Sequence, residues 1–90
     1  MNPASVFRLA QGVAVRPERF GGLIYEQRSR RLLFLNSPDL TALLGELDGE
    51  RPLAQVLDSY LEKRALPASA GATLLRQLAD LARRDLVVAA

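Results

Sequence analysis

The chain changes hydrophobic period once, at Asn36-Ser37-Pro38, and that change limits its folds more than any other feature. Before it, apolar residues come in short runs broken by Gly, Pro and Arg. After it, they recur every three or four residues. A period near two marks strands, and a period near 3.6 marks helices. Met1 to Asn36 therefore reads as strands and Ser37 to Ala90 as helices, an α+β order.

In the first part, Gly12 to Pro17 forms a short strand closed by Pro17. Gly21-Gly22 is a flexible joint. Leu23 to Glu26 makes a second strand, Gln27 to Arg30 a polar turn of hairpin length, and Arg31 to Leu35 a third strand. The expected arrangement is a three-stranded antiparallel meander with the third strand at an edge. That strand is unusual. A strand with one wet face alternates apolar and polar residues, whereas Leu32-Leu33-Phe34-Leu35 is apolar on both faces. One face meets the helices, through Leu32 and Phe34 or through Leu33 and Leu35. The other is covered by a loop or terminus such as Val6 to Leu9, or by a partner.

The helical part opens with a strong start, a Ser37 N-cap followed by Pro38. Leu40, Leu43, Leu44 and Leu47 then form an amphipathic stripe that Asp48-Gly49 ends. A second helix begins at Pro52 with the stripe Leu53, Val56, Leu57, Tyr60 and Leu61, and Pro67 breaks the chain. Ser69 can cap a third helix that runs to about Arg84. Leu86-Val87-Val88 reads as a short extended piece. On the third helix Leu74, Leu78 and Leu81 cluster, and Ala72, Leu75, Ala79, Ala82 and Leu86 make a second stripe beside them. That arc is wider than one core contact needs. The second stripe packs into the core, or it is a groove floor with Arg76 and Arg83 along its rim.

Composition removes several chemistries. The chain has no cysteine and no histidine. Disulfides, thiol nucleophiles and the commonest general base are therefore missing. The carboxylates are scattered, with no spacing that suggests a metal site or an acid/base pair. The expectation is a single domain over residues 1–90 that is not an enzyme and carries no cofactor. Net charge is +2, too balanced to name a polyanionic partner. Of the 12 basic residues only Lys63 is lysine. Arginine suits bidentate contact with carboxylates, so acidic peptide segments are candidate partners; arginine-rich codon usage gives the same count. Met1 to Gly12 lacks the apolar run of a secretory signal, and no segment is long and apolar enough to span a membrane. The cytoplasm is the expected location.

The residues become specific in the strand half. Arg16-Pro17-Glu18, then Phe20-Gly21, then Tyr25, then Phe34-Leu35 and Ser37-Pro38 stand at fixed spacing. This pattern resembles the MftB family of mycofactocin-system peptide chaperones, which is similar to the PqqD-like recognition elements of ribosomally made, modified peptides. The resemblance implies a winged helix-turn-helix-like domain, three strands followed by three helices. It implies as partners the leader of a short precursor peptide and a radical SAM maturase that carries the iron–sulfur and SAM chemistry. The leader would add as a strand beside the third strand, in the cleft against the third helix. An edge strand offers the unpaired backbone groups that strand addition uses. The expected peptide-binding residues are Leu33, Phe34 and Leu35 on the strand, with Leu75, Ala79 and Ala82 on the helix. Arg76 and Arg83 are expected to pair acidic leader side chains. Arg16, Pro17, Glu18, Phe20, Gly21 and Tyr25 serve either the fold or contact with the modifying enzyme.

The competing reading is a winged-helix DNA-binding protein, which the layout and the Arg28, Arg30 and Arg31 turn allow. Against it, the third helix opens with Ser69-Ala70-Gly71-Ala72-Thr73, where a recognition helix presents base-reading side chains. No nucleic-acid or membrane partner is expected. A third reading is a structural subunit that binds only protein.

Overall fold

The computed structural model describes residues 1–90. Five strands and three helices follow in the order β1 (Phe7–Leu9), β2 (Val13–Glu18), β3 (Gly21–Glu26), β4 (Arg31–Leu35), α1 (Pro38–Glu46), α2 (Leu53–Arg64), α3 (Ala68–Arg83) and β5 (Val87–Ala89). The expected α+β order and three-stranded antiparallel meander are present, as β2-β3-β4. A further two-stranded sheet joins β1 to β5.

That second sheet corrects one expectation. The segment containing β1 does not fold over β4. It runs antiparallel to β5, with Phe7 opposite Ala89 and Leu9 opposite Val87. The same N-terminal segment completes α2. Pro52, at the α2 N-cap, has no side chain to accept the helix's free N–H groups. The Ser5 and Pro3 carbonyls accept from Leu53 N and Ala54 N at 2.9 and 2.8 Å, so the first turn is satisfied by distant backbone.

The meander register decides which apolar residues are inside. Val15, Ile24 and Leu33 stand opposite one another on one face, and Ala14, Tyr25 and Leu32 on the other. Ile24 and Leu35 are buried in the core, with Leu33 packed against it. The helices therefore cover the Leu33 and Leu35 face. Close approach of α1 depends on Gly21 and Gly22. A Cβ on Gly21, which has φ of +142°, would collide with the Leu35 carbonyl, and one on Gly22 would collide with the Thr41 side chain. Thr41 cannot swing away, because it is buried and its hydroxyl donates to Ser37 O at 2.9 Å.

On α1, Ser37 Oγ accepts from Leu40 N at 3.0 Å and Pro38 follows, as the sequence suggests. Leu40, Leu43 and Leu44 are buried. On α2, Tyr60 is buried and its hydroxyl donates to Asp39 Oδ1 at 2.7 Å, which ties α2 to α1. Burial, then the Asp39 carboxylate, push that phenol up to about 12. Helix α3 begins one residue before the expected cap. Its N-cap is Pro67 and no side chain caps it, so Ser69 lies inside the first turn rather than at the cap. Leu74, Leu78 and Leu81 are its buried stripe, as expected. Strand β2 runs one residue beyond Pro17, which sits at the sheet edge where its missing N–H is harmless.

Candidate functional site

Strand β4 hydrogen-bonds to β3 along one edge and to no strand along the other. Between that free edge and α3 lies a groove of about 530 Å³. Leu33, Phe34 and Leu35 form its strand side. Leu40 and Leu81, both buried, lie at its apolar base. Thr73, Arg76, Gln77, Asp80 and Arg84 form the helix wall.

These helix residues repeat at three- and four-residue intervals, so they form one stripe of α3. The stripe flanks the buried Leu74, Leu78 and Leu81. Of the expected helix residues, Arg76 reaches the groove. Leu75, Ala79, Ala82 and Arg83 do not line it. Leu75, Ala79 and Ala82 occupy the opposite flank of the buried stripe, where Leu75 packs against the core. The α3 rotation follows from its packing on α2. Gly71 lies under Leu57 and Leu61, with Leu61 Cδ1 2.9 Å from where a Cβ would be. That contact turns the alanine flank away from β4. Thr73, Gln77, Asp80 and Arg84 carry no apolar periodicity, so a reading built on apolar stripes does not single them out. The signal that marks them is the polar repeat on α3 facing an apolar edge strand.

The groove wall carries unequal charges. Asp80 accepts from Arg83 at 3.2 Å and pairs with Arg84 at 3.3 Å, so its charge is shared. Arg76 has no carboxylate within reach; its guanidinium only donates to Thr73 Oγ1 at 3.4 Å. It is the groove's free cation. Gln77 Oε1 is buried with no hydrogen-bond donor. Leaving such an acceptor unmatched costs about 1–3 kcal/mol.

Arg31 fixes one end of the groove. Its Nε pairs with Glu26 Oε1 at 2.9 Å, and its Nη2 donates to the Arg84 carbonyl at the C-cap of α3, 3.3 Å away. A cation there also complements the helix dipole. The Ser29 hydroxyl, then the Arg31 guanidinium, hold the Glu26 carboxyl below its usual range. The strand start and the helix end are thereby held at a set separation.

The structure also shows where the residues of the Arg16 to Tyr25 motif lie. Gly21 serves the fold. Arg16, Phe20 and Tyr25 are exposed on the sheet's outer side and do not line the groove, although Phe20 packs on Phe34, which does. The model of the peptide chaperone MftB family matches residues 6–88. The chain belongs to this family. The match takes in every strand and helix but for the last residue of β5. No curated protein and no solved structure gives a significant match. A peptide chaperone needs a surface that can take an extended chain, and in this MftB-family protein the groove beside the open strand edge is such a surface. No helix is long and apolar enough to cross a membrane.

Proposed function

We propose that this MftB-family protein binds the leader of a ribosomally made precursor peptide, the mycofactocin precursor, by strand addition to β4. It then presents that peptide to a radical SAM maturase and performs no chemistry itself. The arrangement reads as a winged helix-turn-helix-like domain in which the wing edge takes a peptide rather than DNA. The observation that carries the reading is the unpaired β4 edge lying along the groove.

Physical chemistry supports it. A leader laid beside β4 pairs its backbone with groups that otherwise face water, and alternate side chains drop onto Leu33, Leu35 and Leu81. Pairing along a preformed edge fixes register and limits the ordering entropy of a flexible chain. A carboxylate on the leader answers Arg76, and an amide donor answers Gln77 Oε1. The groove volume lies within the range of about 300–1,000 Å³ typical of ligand sites. The free end of the peptide remains available to an active site elsewhere, at a raised effective concentration.

The test is a titration of the precursor peptide into ¹⁵N-labelled protein. Shifts concentrated in Arg31 to Leu35 and Thr73 to Arg84 are expected, and Arg76→Glu should weaken binding about tenfold or more. Absence of binding at high micromolar protein, with the maturase also present, would remove the reading.

A further inference from the structure

The outer face of the sheet is a second unpartnered surface, separate from the groove. By register, its two rows are Arg16-Leu23-Phe34 and Ala14-Tyr25-Leu32. Phe20 packs on Phe34 with ring centroids 5.7 Å apart. Five large hydrophobic residues of the protein are exposed, and four of them stand together here: Phe20, Tyr25, Leu32 at 50% and Phe34 at 66%. The fifth is Met1. Scattered exposure is ordinary, but clustering on one face marks an interaction surface. A hollow of about 320 Å³ lies among Ala14, Arg16, Leu23, Tyr25 and Leu32, large enough to seat a side chain of a partner.

Charge says what kind of partner fits. Residues 12–36 hold five arginines and two glutamates. Both glutamates are already paired, Glu18 with Arg16 and Glu26 with Arg31. Arg19, in the β2–β3 turn, and Arg28 and Arg30, in the β3–β4 turn, have no carboxylate partner. These turns lie at opposite ends of the meander, so the apolar face is bracketed by free cations. A second copy laid face to face would set arginine turns against arginine turns, and like charges disfavour that pairing. An apolar protein surface with an acidic fringe complements both features.

We infer that this face docks the maturase through such a surface, an assignment that rests on the chaperone reading above. The geometry suits that role. The outer face and the groove share only Phe34, so one partner can sit on the sheet while a peptide lies along β4. A strand added to β4 would also widen the outer face, placing peptide and enzyme side by side.

The test compares wild type, Tyr25→Glu and Arg28→Glu/Arg30→Glu in two assays. One measures binding to the cluster-loaded radical SAM maturase, the other binding to the isolated leader peptide. Tyr25, on β3, and the two arginines lie outside the groove and off the strand that takes the leader, so leader affinity should stay within about twofold. Tyr25→Glu should weaken maturase binding about 30-fold or more, as expected for a central interface position. The double arginine variant should slow association about tenfold at low salt and flatten its salt dependence. Unchanged maturase affinity in both variants, with leader binding intact in wild type, overturns the docking assignment alone. So does a wild type that binds the leader but not the maturase, or one that self-associates through this face, with Tyr25→Glu monomeric and maturase binding unaltered. A wild type that binds neither partner removes the chaperone reading, and this inference with it.

Discussion

The two faces of the β2-β3-β4 sheet are similarly apolar and have opposite fates. Val15, Ile24 and Leu33 look inward, and Ile24 is 1% exposed. Ala14, Tyr25 and Leu32, their immediate neighbours in sequence, look outward and are exposed. Residue type does not separate the faces. The inner face is covered because Gly21 and Gly22 let α1 settle onto it, with Thr41 resting where a side chain would otherwise stand. The outer face stays open because β1 is used elsewhere, paired to β5. Burial here follows from what each face can be approached by.

That contrast can be broken most sharply at adjacent residues of β3. Ile24→Ala should cost about 3–4 kcal/mol in urea unfolding, while Tyr25→Ala should stay within about 0.5 kcal/mol. Equal losses would mean that the two faces are not different in the way described. Gly22→Ala comes next, at about 2–3 kcal/mol, because α1 must back away from the sheet. Pairing it with Thr41→Ala should recover part of that loss, since the obstructing side chain is gone. A smaller effect lies at the charged end of the sheet. Arg31→Ala should weaken leader binding about fivefold, near 1 kcal/mol, by freeing the α3 end from β4.

The smallest effect is acid sensitivity. Glu26 is held below its ordinary 4.5 by Ser29 and Arg31. Asp48 is held at about 2, chiefly by the Arg51 and Glu50 backbone N–H groups and then by the Arg51 side chain. A lowered folded-state value means the stabilisation is complete above the unfolded value and is lost as pH falls through the folded one. Stability should therefore be flat above about pH 5 and fall between about pH 4.5 and 2. Glu26→Gln should remove the sheet's share of that fall and leave the share of the α1–α2 turn. A pH series of denaturant midpoints that is unchanged by Glu26→Gln would show that the Arg31 clamp adds nothing to the fold.

Much of the site is legible in the amino-acid sequence. Strand β4 is marked by its two apolar faces and α1 by the Ser37-Pro38 start, because strand alternation and capping are local interactions. The groove's place follows from the family resemblance, and Arg76 is among its expected residues. The helix wall is the part that sequence does not disclose. A helical wheel orders residues around an axis but does not say how that axis is rotated against its neighbours. The apolar arc of α3 is wide enough to allow either flank to face β4.

Apart from β1, which reads only as a loop or terminus, sequence by itself determined the element types, most of their boundaries, and the lack of a histidine or cysteine chemistry. These depend on spacing and composition within a few residues. Only the tertiary structure decided three things. It chose Leu33 and Leu35 over Leu32 and Phe34 as the inner set, through the Gly22–Thr41 approach. It turned Thr73, Arg76, Gln77, Asp80 and Arg84 toward the groove, through the seating of Gly71 under Leu61. It joined Phe7–Leu9 to Val87–Ala89, nearly the whole chain apart. Each is a choice between arrangements of similar local energy, and contacts far apart in the chain make it.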